Sequence, residues 1–172
     1  MPTGYQINGT WTNVKTSAAT SVAFLSCKCS SLDNCVMAGR DGLLDKGTIV
    51  HSTRGGALDT WTTVHQTSTT GFSDLVYVSA PSFDTAYFFA LEYFDGIVYR
   101  SVDNGATFSN VLDTLGEVLM AAATLGSSRV VVLGAANIYV SDESFDFGAD
   151  TGTEYNGWVS YSYSLGNTYH AI

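Results

Sequence analysis

The chain carries a large aromatic residue about every 49 positions. Trp11, Trp61, Phe108 and Trp158 recur at spacings of 50, 47 and 50 residues in the 172-residue sequence. A constant period of this length is typical of a repeated supersecondary unit, and each unit needs its neighbours in order to bury its apolar face. The chain is therefore expected to consist of about three copies of one small unit.

Each period contains four short strand-like runs separated by Gly, Asn, Asp and Ser, the residues of tight turns. Helix-forming Lys, Arg, Glu and Gln are scarce, whereas Val, Tyr, Phe and Thr are abundant, which favours strands. Runs such as Tyr-Phe-Phe-Ala-Leu are apolar on both faces and suit a strand between two neighbouring sheets. Four-stranded sheets at this period are the blades of a β-propeller, so the sequence predicts an all-β, propeller-like fold.

The repeat predicts a single domain of about three blades with one leading strand. The predicted blades cover residues 18–66, 72–113 and 117–163, and the leading strand covers residues 10–14. Closed propellers usually have at least four blades, so three blades are not expected to close by themselves. Bare sheet edges and faces promote aggregation unless another structure covers them. We therefore expect the partners to be other copies of the chain or the rest of a longer propeller chain.

One hairpin carries a distinctive pattern of polar residues. Ser101, Asp103, Gly105, Thr107 and Phe108 follow the order S-x-D-x-G-x-T-aromatic. In this motif the chain resembles the Asp-box, or BNR-repeat, propellers, a family that includes sialidases, sortilin-type receptors and Ycf48-like assembly factors. The resemblance implies that the motif is the turn between the third and fourth strands of a blade. In such a turn Ser and Asp bind local backbone amides, Gly takes a positive φ, and the aromatic residue packs between blades.

The other repeats depart from this motif. The copy that runs from Ser52 to Trp61 has Arg54 where the aspartate belongs and two extra residues before its tryptophan. The copy that starts at Ser141 has no clear motif and carries an acidic insertion before Trp158. The complete motif therefore occurs once, whereas the repeat covers nearly the whole chain.

Three cysteines lie close together in the first repeat. Cys29 and Cys35 flank a five-residue loop and can meet across a hairpin, so a disulfide between them is our leading interpretation. Reduced structural thiols are an alternative, and a metal site is a weaker one because no fourth ligand lies nearby in the sequence. Cys27 is left over in this pairing, and it either pairs with another chain or stays reduced.

Five carboxylates crowd the insertion of the third repeat. They are Asp142, Glu143, Asp146, Asp150 and Glu154. Calcium prefers oxygen ligands of this kind, but the spacing lacks the alternating acidic ladder of a calcium-binding loop. We interpret the insertion as a solvated loop, with calcium as the weaker alternative, and we expect no other cofactor.

The composition restricts the partners. The net charge is −9 and the seven Lys and Arg residues are not clustered, which argues against nucleic acid as a partner. No apolar run reaches the roughly 18–20 residues of a membrane-spanning helix, and the segment after Met1 does not resemble a signal peptide. Asn8 begins the sequon Asn-Gly-Thr. Because charges are few, Ser and Thr are many and a disulfide is expected, we predict an extracellular glycoprotein.

Catalytic residues are hard to identify in this chain. The four arginines occur singly and are interpreted as solvent-facing, whereas a sialidase gathers several arginines around a carboxylate. Glycosidases use two carboxylates roughly 5–10 Å apart. Glu92 or Asp95 beside Asp41 or Asp45 would supply such a pair, although no spacing singles it out.

We therefore predict a non-enzymatic extracellular module with a structural or protein-interaction role. Its blades would stack on other blades or copies, within a fibre or a larger complex. The alternative is a fragment of a glycan-binding or glycoside-hydrolase-like Asp-box propeller. The many Tyr and Trp residues, which stack on sugars, motivate that alternative.

Overall fold

A computed structural model describes residues 22–31, 33–41, 46–54, 60–67, 71–79, 86–125, 129–141 and 157–162. These residues form twelve β-strands and no helix. The strands are β1 (Val22–Cys29), β2 (Cys35–Asp41), β3 (Lys46–Ser52), β4 (Thr62–Gln66), β5 (Phe72–Ser79), β6 (Ala86–Glu92), β7 (Ile97–Ser101), β8 (Ser109–Asp113), β9 (Leu119–Leu125), β10 (Arg129–Gly134), β11 (Asn137–Ser141) and β12 (Trp158–Ser162). The prediction of an all-β chain is confirmed.

The strands form three four-stranded sheets, and each sheet is an antiparallel meander. Strands β1 to β4 form the sheet that we call blade 1, β5 to β8 form blade 2, and β9 to β12 form blade 3. Within each blade, strands that are consecutive in the chain are hydrogen-bonded neighbours. The first strand of blade 2, β5, contacts both β1 and β9, the first strands of the other blades. The three sheets therefore stack in chain order, as expected for propeller blades.

Strand β6 shows why the sheets stack. Phe88 and Ala90 pack toward blade 1, whereas Phe89 and Leu91 pack toward blade 3, and all four side chains are fully buried. Successive side chains of a strand point to opposite faces, so an uninterrupted apolar run fits a strand that is covered on both sides. Blade 2 is therefore the middle layer of the molecule.

Two apolar clusters hold the blades together. The cluster between blades 1 and 2 consists of Val36, Ala38, Ile49, Phe72, Phe88 and Ala90. The cluster between blades 2 and 3 consists of Phe89, Leu91, Val98, Leu112, Leu119, Val130, Val132, Tyr139 and Trp158. Because full burial of one large apolar side chain contributes about 1.5–3 kcal/mol, these clusters are the main attraction between the blades.

The aromatic anchors occupy one structural position in each blade, at the start of its last strand. Trp61 and Phe108 immediately precede β4 and β8, and Trp158 is the first residue of β12. Trp158 meets Phe89 of blade 2 edge to face, with 6.3 Å between the ring centroids. Phe108 packs against the cluster between blades 1 and 2. The period of the sequence therefore follows from the period of the blades.

The three sheets extend from Val22 to Gln66, from Phe72 to Asp113 and from Leu119 to Ser162. The sequence predicted blades at residues 18–66, 72–113 and 117–163. The predicted leading strand at residues 10–14, which includes Trp11, lies outside the described residues, as does Asn8.

Candidate interaction surface

The face of blade 3 that points away from blade 2 is apolar across its centre. Its residues, which we call the outer face, are Ala121, Ala123, Val131, Leu133, Ile138, Val140, Val159 and Tyr161. Directly opposed residues in an antiparallel sheet share a face, so these eight side chains form two rows across the four strands. The rows are Ala121, Leu133, Ile138 and Tyr161, and Ala123, Val131, Val140 and Val159.

The outer face is open to solvent. Tyr161 is 58% exposed, Val159 is 52% exposed and Leu133 is 37% exposed, and none of the eight side chains is buried. None of them carries a charge, and Arg129 lies at the margin of the face, at the start of β10. A contiguous apolar patch on a protein surface often marks an interaction site.

The corresponding face of blade 2 shows how such a surface is used. Phe89, Leu91, Val98 and Leu112 form its apolar centre, and each is at most 2% exposed because blade 3 covers them. Blade 3 therefore repeats, on its outer face, the kind of surface that blade 2 uses to bind a neighbouring sheet.

Blade 1 differs at the other end of the stack. Ile49 packs toward blade 2, so Thr48, Val50 and Ser52 on the same strand point away from blade 2. These three side chains are nevertheless buried, at 4%, 2% and 1% exposure. The same face stays partly exposed on β1 and β2, so only its centre is closed. Among the described residues, the outward sheet face with an open apolar centre is therefore that of blade 3.

The turn from Ser101 to Phe108 joins β7 to β8, the third and fourth strands of blade 2. The Ser101 hydroxyl accepts a hydrogen bond from the Gly105 amide (2.8 Å) and donates one to Asp103 Oδ1 (2.7 Å). Asp103 also accepts hydrogen bonds from the Thr107 amide (2.9 Å) and from the Thr107 hydroxyl (2.6 Å). The polar residues of the motif therefore hold the turn closed by bonding to one another and to its backbone.

The carboxylate of Asp103 is stabilised in its ionised form. Partial burial would raise the pKa of Asp103, but the hydrogen bonds from Thr107 and Ser101 outweigh burial and hold the pKa below its ordinary value. An ionised carboxylate also accepts stronger hydrogen bonds than a protonated one. The turn is therefore most stable when Asp103 is charged.

The same turn docks blade 2 on blade 1. Gly105 has a φ of +92°, and a Cβ atom at this position would lie 2.5 Å from Val36 Cγ2 and 3.4 Å from His51 Cδ2. Glycine is required here because other residues disfavour this φ and would collide with Val36. His51 Nε2 lies 2.6 Å from Asn34 Oδ1, and because that oxygen only accepts, Nε2 carries the proton. The motif thus contributes to the packing of two blades.

A buried serine ends the third strand of every blade. Ser52, Ser101 and Ser141 close β3, β7 and β11, and each is 1% exposed. Ser52 accepts a hydrogen bond from the Arg54 amide (3.3 Å), and Ser141 accepts one from the Val130 amide (2.8 Å). Blades 1 and 3 therefore keep the first residue of the motif although the rest is incomplete.

A disulfide joins Cys29 and Cys35 across the β1–β2 hairpin. The two residues are direct partners at the end of this antiparallel pair. Cys27 is exposed on β1 and is a free cysteine. The pairing is the one that the loop length favoured, and disulfides of this kind persist in oxidising compartments.

A buried polar group lies between blades 1 and 2. Glu92, which is 1% exposed, accepts a hydrogen bond from the Tyr99 hydroxyl (3.1 Å). The Tyr99 ring packs on His65 of blade 1, with 4.4 Å between the ring centroids. Burial and the Glu92 carboxylate both raise the pKa of Tyr99, so its hydroxyl stays protonated. A tyrosine nucleophile needs the opposite shift, so this arrangement suits blade packing better than attack on a substrate.

The carboxylates considered for glycosidase chemistry lie in different surroundings. Glu92 and Asp41 are buried, at 1% and 8% exposure, and Asp95 lies in the β6–β7 turn. Asp45 lies outside the described residues. That the chain is not an enzyme stays a prediction.

The expectation that all arginines face solvent is wrong for two of them. Arg40 and Arg54 are exposed, but Arg100 and Arg129 are partly buried, and their Nε atoms are shielded from solvent. Burial lowers the pKa of Arg100. Arg100 lies on a strand of the middle blade, so neighbouring side chains cover the aliphatic part of a side chain that we expected to face solvent.

Sequence reasoning missed Glu117, which lies between β8 and β9 and binds the β10–β11 hairpin of blade 3. Its carboxylate accepts hydrogen bonds from the Asn137 amide (2.8 Å), from Asn137 Nδ2 (2.9 Å), from the Ala136 amide (2.5 Å) and from the Tyr139 hydroxyl. Partial burial would raise the pKa of Glu117, but these hydrogen bonds outweigh burial and lower it. No local motif marks this residue, because its partners lie about 20 positions later in the chain.

Within the described ranges, no group of three or more His, Cys, Asp or Glu side chains is arranged to hold a metal ion. The acidic insertion from Asp142 to Glu154 lies outside those ranges, so calcium binding stays a weaker prediction. Among the residues that the structure describes, no helix is long and apolar enough to cross a membrane.

Comparison with known proteins bears on the fold. No family model matches the sequence, and no curated protein matches it. Among solved structures, the chain is similar to YCF48 from Cyanidioschyzon merolae, a β-propeller, with a TM-score of 0.50 and 20% sequence identity. The match covers 84% of this chain and 38% of that one, so the chain spans well under half of the longer protein. This similarity, together with three stacked four-stranded sheets, shows a blade-like β-propeller fold.

Proposed function

We propose that the chain is a non-enzymatic structural module, a propeller segment that binds further β-sheets and so builds a larger assembly. The observation that carries this proposal is the outer face of blade 3. Its eight apolar side chains form a face like those that are buried between the blades, yet none of the eight is buried. Covering such a face with another apolar sheet is favourable in water.

The side chains of the outer face are well suited to binding. Covering apolar surface contributes about 25 cal/mol per Å², so the most exposed residues, Val159 and Tyr161 on β12, contribute most. Val131 and Val140 at the centre are β-branched and lose little rotamer freedom when they are covered. No charge on the eight residues has to be desolvated.

The cysteines and the composition support an extracellular location for this assembly. The Cys29–Cys35 disulfide would persist in an oxidising compartment. The sequon at Asn8 would carry a glycan there, as a glycoprotein would. The Ser101–Phe108 turn supports membership of the Asp-box propellers, in which such turns stabilise the blade.

The mass of the assembled protein tests the proposal. We expect light scattering and electron microscopy to show particles heavier than the 18.3 kDa chain. Intact-mass spectrometry on the same material would show added sugar if Asn8 is modified. A stable monomer that binds no apolar dye at any concentration would count against an interaction module.

Glycan binding is a second candidate function, favoured by two exposed rings. Tyr93 and Phe94 in the β6–β7 turn are 38% and 53% exposed, and they meet edge to face with 4.6 Å between ring centroids. Exposed aromatic rings offer apolar faces on which sugars can stack. A glycan array should show binding that is lost in the double variant Tyr93→Ala, Phe94→Ala. Equal signals for the two proteins would exclude this role for the rings.

A further inference from the structure

We propose that the outer face of blade 3 binds the outer face of a second copy, which gives a twofold-symmetric dimer joined back to back. This inference rests on the proposed function and names the partner of the same surface. The partner follows from the shape of the face, from its charge and from the burial of the opposite end of the stack.

The existing blade interfaces indicate the kind of surface that fits the outer face. Blade 3 covers the apolar face of blade 2 through Leu119, Val130, Val132 and Tyr139, which are at most 2% exposed. Apolar β-sheets pack face to face about 10 Å apart, with side chains that interdigitate. The outer face is the opposite face of the same four strands of blade 3. It therefore offers the surface for one more sheet-on-sheet interface of this kind.

The state of blade 1 decides how a second copy can supply that sheet. In a head-to-tail ring, the outer face of one copy would bind the far face of blade 1 in the next copy. Thr48, Val50 and Ser52 on that far face are already buried. That far face is thus closed at its centre, although it stays partly exposed on β1 and β2. Among the described residues, the sheet face with an open apolar centre in the second copy is therefore again the outer face of blade 3, and the contact is isologous.

The outer face is complementary to itself under one particular twofold axis. The smallest side chains of the face, Ala121 and Ala123, lie on β9, the first strand, whereas the larger Tyr161 and Val159 lie on β12, the last strand. A twofold axis that runs along the strands, between the two sheets, places β9 of one copy over β12 of the other. At the two edges of the interface the alanines of β9 then oppose the larger side chains of β12, while at the centre β10 lies over β11 and residues of similar size oppose each other. Small side chains thus face large ones where the size difference is greatest, which helps the two sheet faces to fill space without voids.

Charge and size indicate a modest affinity that rises with salt. The chain has a net charge of −9, so two copies repel each other at long range, while the contact itself contains no charge among its eight residues. Salt screens the repulsion and leaves the apolar contact intact. From the strand spacing, the sheet face covers roughly 300 Å² per copy, which is small beside the ~800 Å² per partner of a typical stable interface. We therefore expect a reversible dimer that depends on concentration.

Sedimentation velocity across a range of concentrations tests the dimer. We expect the full chain to shift from monomer to dimer as its concentration rises, and more readily at higher salt. Val159→Asp should weaken the dimer at least tenfold, because it buries a charge at the interface. Ser160→Asp is the matched control, since Ser160 is exposed on the opposite face of the same strand, and its dimerisation should equal that of the parent chain.

Disulfide trapping tests the geometry in a Cys27→Ser background. Two single variants, Ala123→Cys and Val159→Cys, are mixed and oxidised. The twofold axis along the strands predicts that the mixed product, with one chain of each kind, exceeds either like-with-like product. Like-with-like products alone would place β9 over β9 and would overturn the arrangement.

The outcomes separate this inference from the function on which it rests. If particles heavier than the monomer persist with Val159→Asp, the interaction module stands and the back-to-back dimer is wrong. If the parent chain stays monomeric at all concentrations yet binds apolar dye through the outer face, the partner is not a second copy. A monomer that binds no dye contradicts both proposals.

Discussion

At the scale of single residues, Gly105 shows how a turn motif serves the packing of two blades. Its φ of +92° and the 2.5 Å that would separate an added Cβ from Val36 Cγ2 make alanine unfavourable for two separate reasons. Gly116 has the same φ of +92°, but a Cβ there would meet nothing within 4 Å. The two glycines therefore separate backbone strain from the contact between blades.

We expect Gly105→Ala to lower the free energy of unfolding by about 3 kcal/mol, the sum of backbone strain and a forced shift of Val36. Gly116→Ala should cost only about 1 kcal/mol, because strain acts there alone. Urea denaturation of both variants measures the difference. Equal losses of stability in the two variants would show that a Cβ at Gly105 does not collide with Val36 of blade 1.

Two histidines make the contact between blades 1 and 2 sensitive to acid. Burial lowers the pKa of His51, and a weaker effect of the Asp103 charge opposes it. Burial also lowers the pKa of His65, and the Glu92 charge opposes that shift. Because the folded pKa values lie below the ordinary value of 6.5, the unfolded chain binds more protons in the range just below it.

Stability should therefore be complete above about pH 7 and fall as the pH decreases through about 6.5 toward the folded pKa values. Asp103 and Glu117, whose pKa values are lowered, stay ionised in this window and lose their contribution only at a lower pH. Calorimetry at about pH 7.5 and 5.5 should show a lower Tm at the acidic pH. The double variant His51→Gln, His65→Gln should reduce that difference, and an undiminished difference would assign the effect to other groups.

At the scale of elements, the β1–β2 hairpin carries its own covalent restraint. The Cys29–Cys35 disulfide closes a loop with a sequence separation of 6 residues. A loop of this length restricts the unfolded chain by about 2 kcal/mol in the chain-entropy description. We expect the double variant Cys29→Ser, Cys35→Ser to lose about that much stability in denaturation experiments. The exposed Cys27→Ser control should lose little, and a comparable loss in the control would point to a role for Cys27 that the structure does not show.

The elements also show how far the sequence alone could lead. The run Arg-Val-Val-Val-Leu-Gly predicts a strand, because its three valines are β-branched and turns flank it. The sequence does not say that Val130 and Val132 meet blade 2 whereas Val131 faces outward, since all three are the same residue type. That distinction depends on which sheet lies on each side, and that is a property of the stack.

Local chemistry could be predicted where its partners are local in the chain. The Ser101–Phe108 turn was recognisable because Asp103 bonds to a residue four positions away. Glu117 was not recognisable, because Asn137 lies 20 positions later and meets it only when the strands of blade 3 have paired. The open face of blade 3 was not recognisable either, because it depends on which sheets lie beside it.

At the scale of the whole molecule, the middle position of blade 2 makes each interface accessible to a separate test. Phe88 and Phe89 are adjacent in β6 and both are fully buried, but they point in opposite directions. Phe88 belongs to the cluster between blades 1 and 2, and Phe89 belongs to the cluster between blades 2 and 3. One residue type at neighbouring positions thus reports on two interfaces.

We expect Phe88→Leu and Phe89→Leu each to cost about 1–2 kcal/mol, because each leaves a small void in a packed cluster. Native-state hydrogen exchange should then increase mainly in blade 1 for Phe88→Leu and mainly in blade 3 for Phe89→Leu, since each blade is held to blade 2 by its own cluster. Each variant is the control for the other. If both variants raise exchange equally in all three blades, the stack unfolds as one cooperative unit, and an added sheet on blade 3 would then stabilise blade 1 as well.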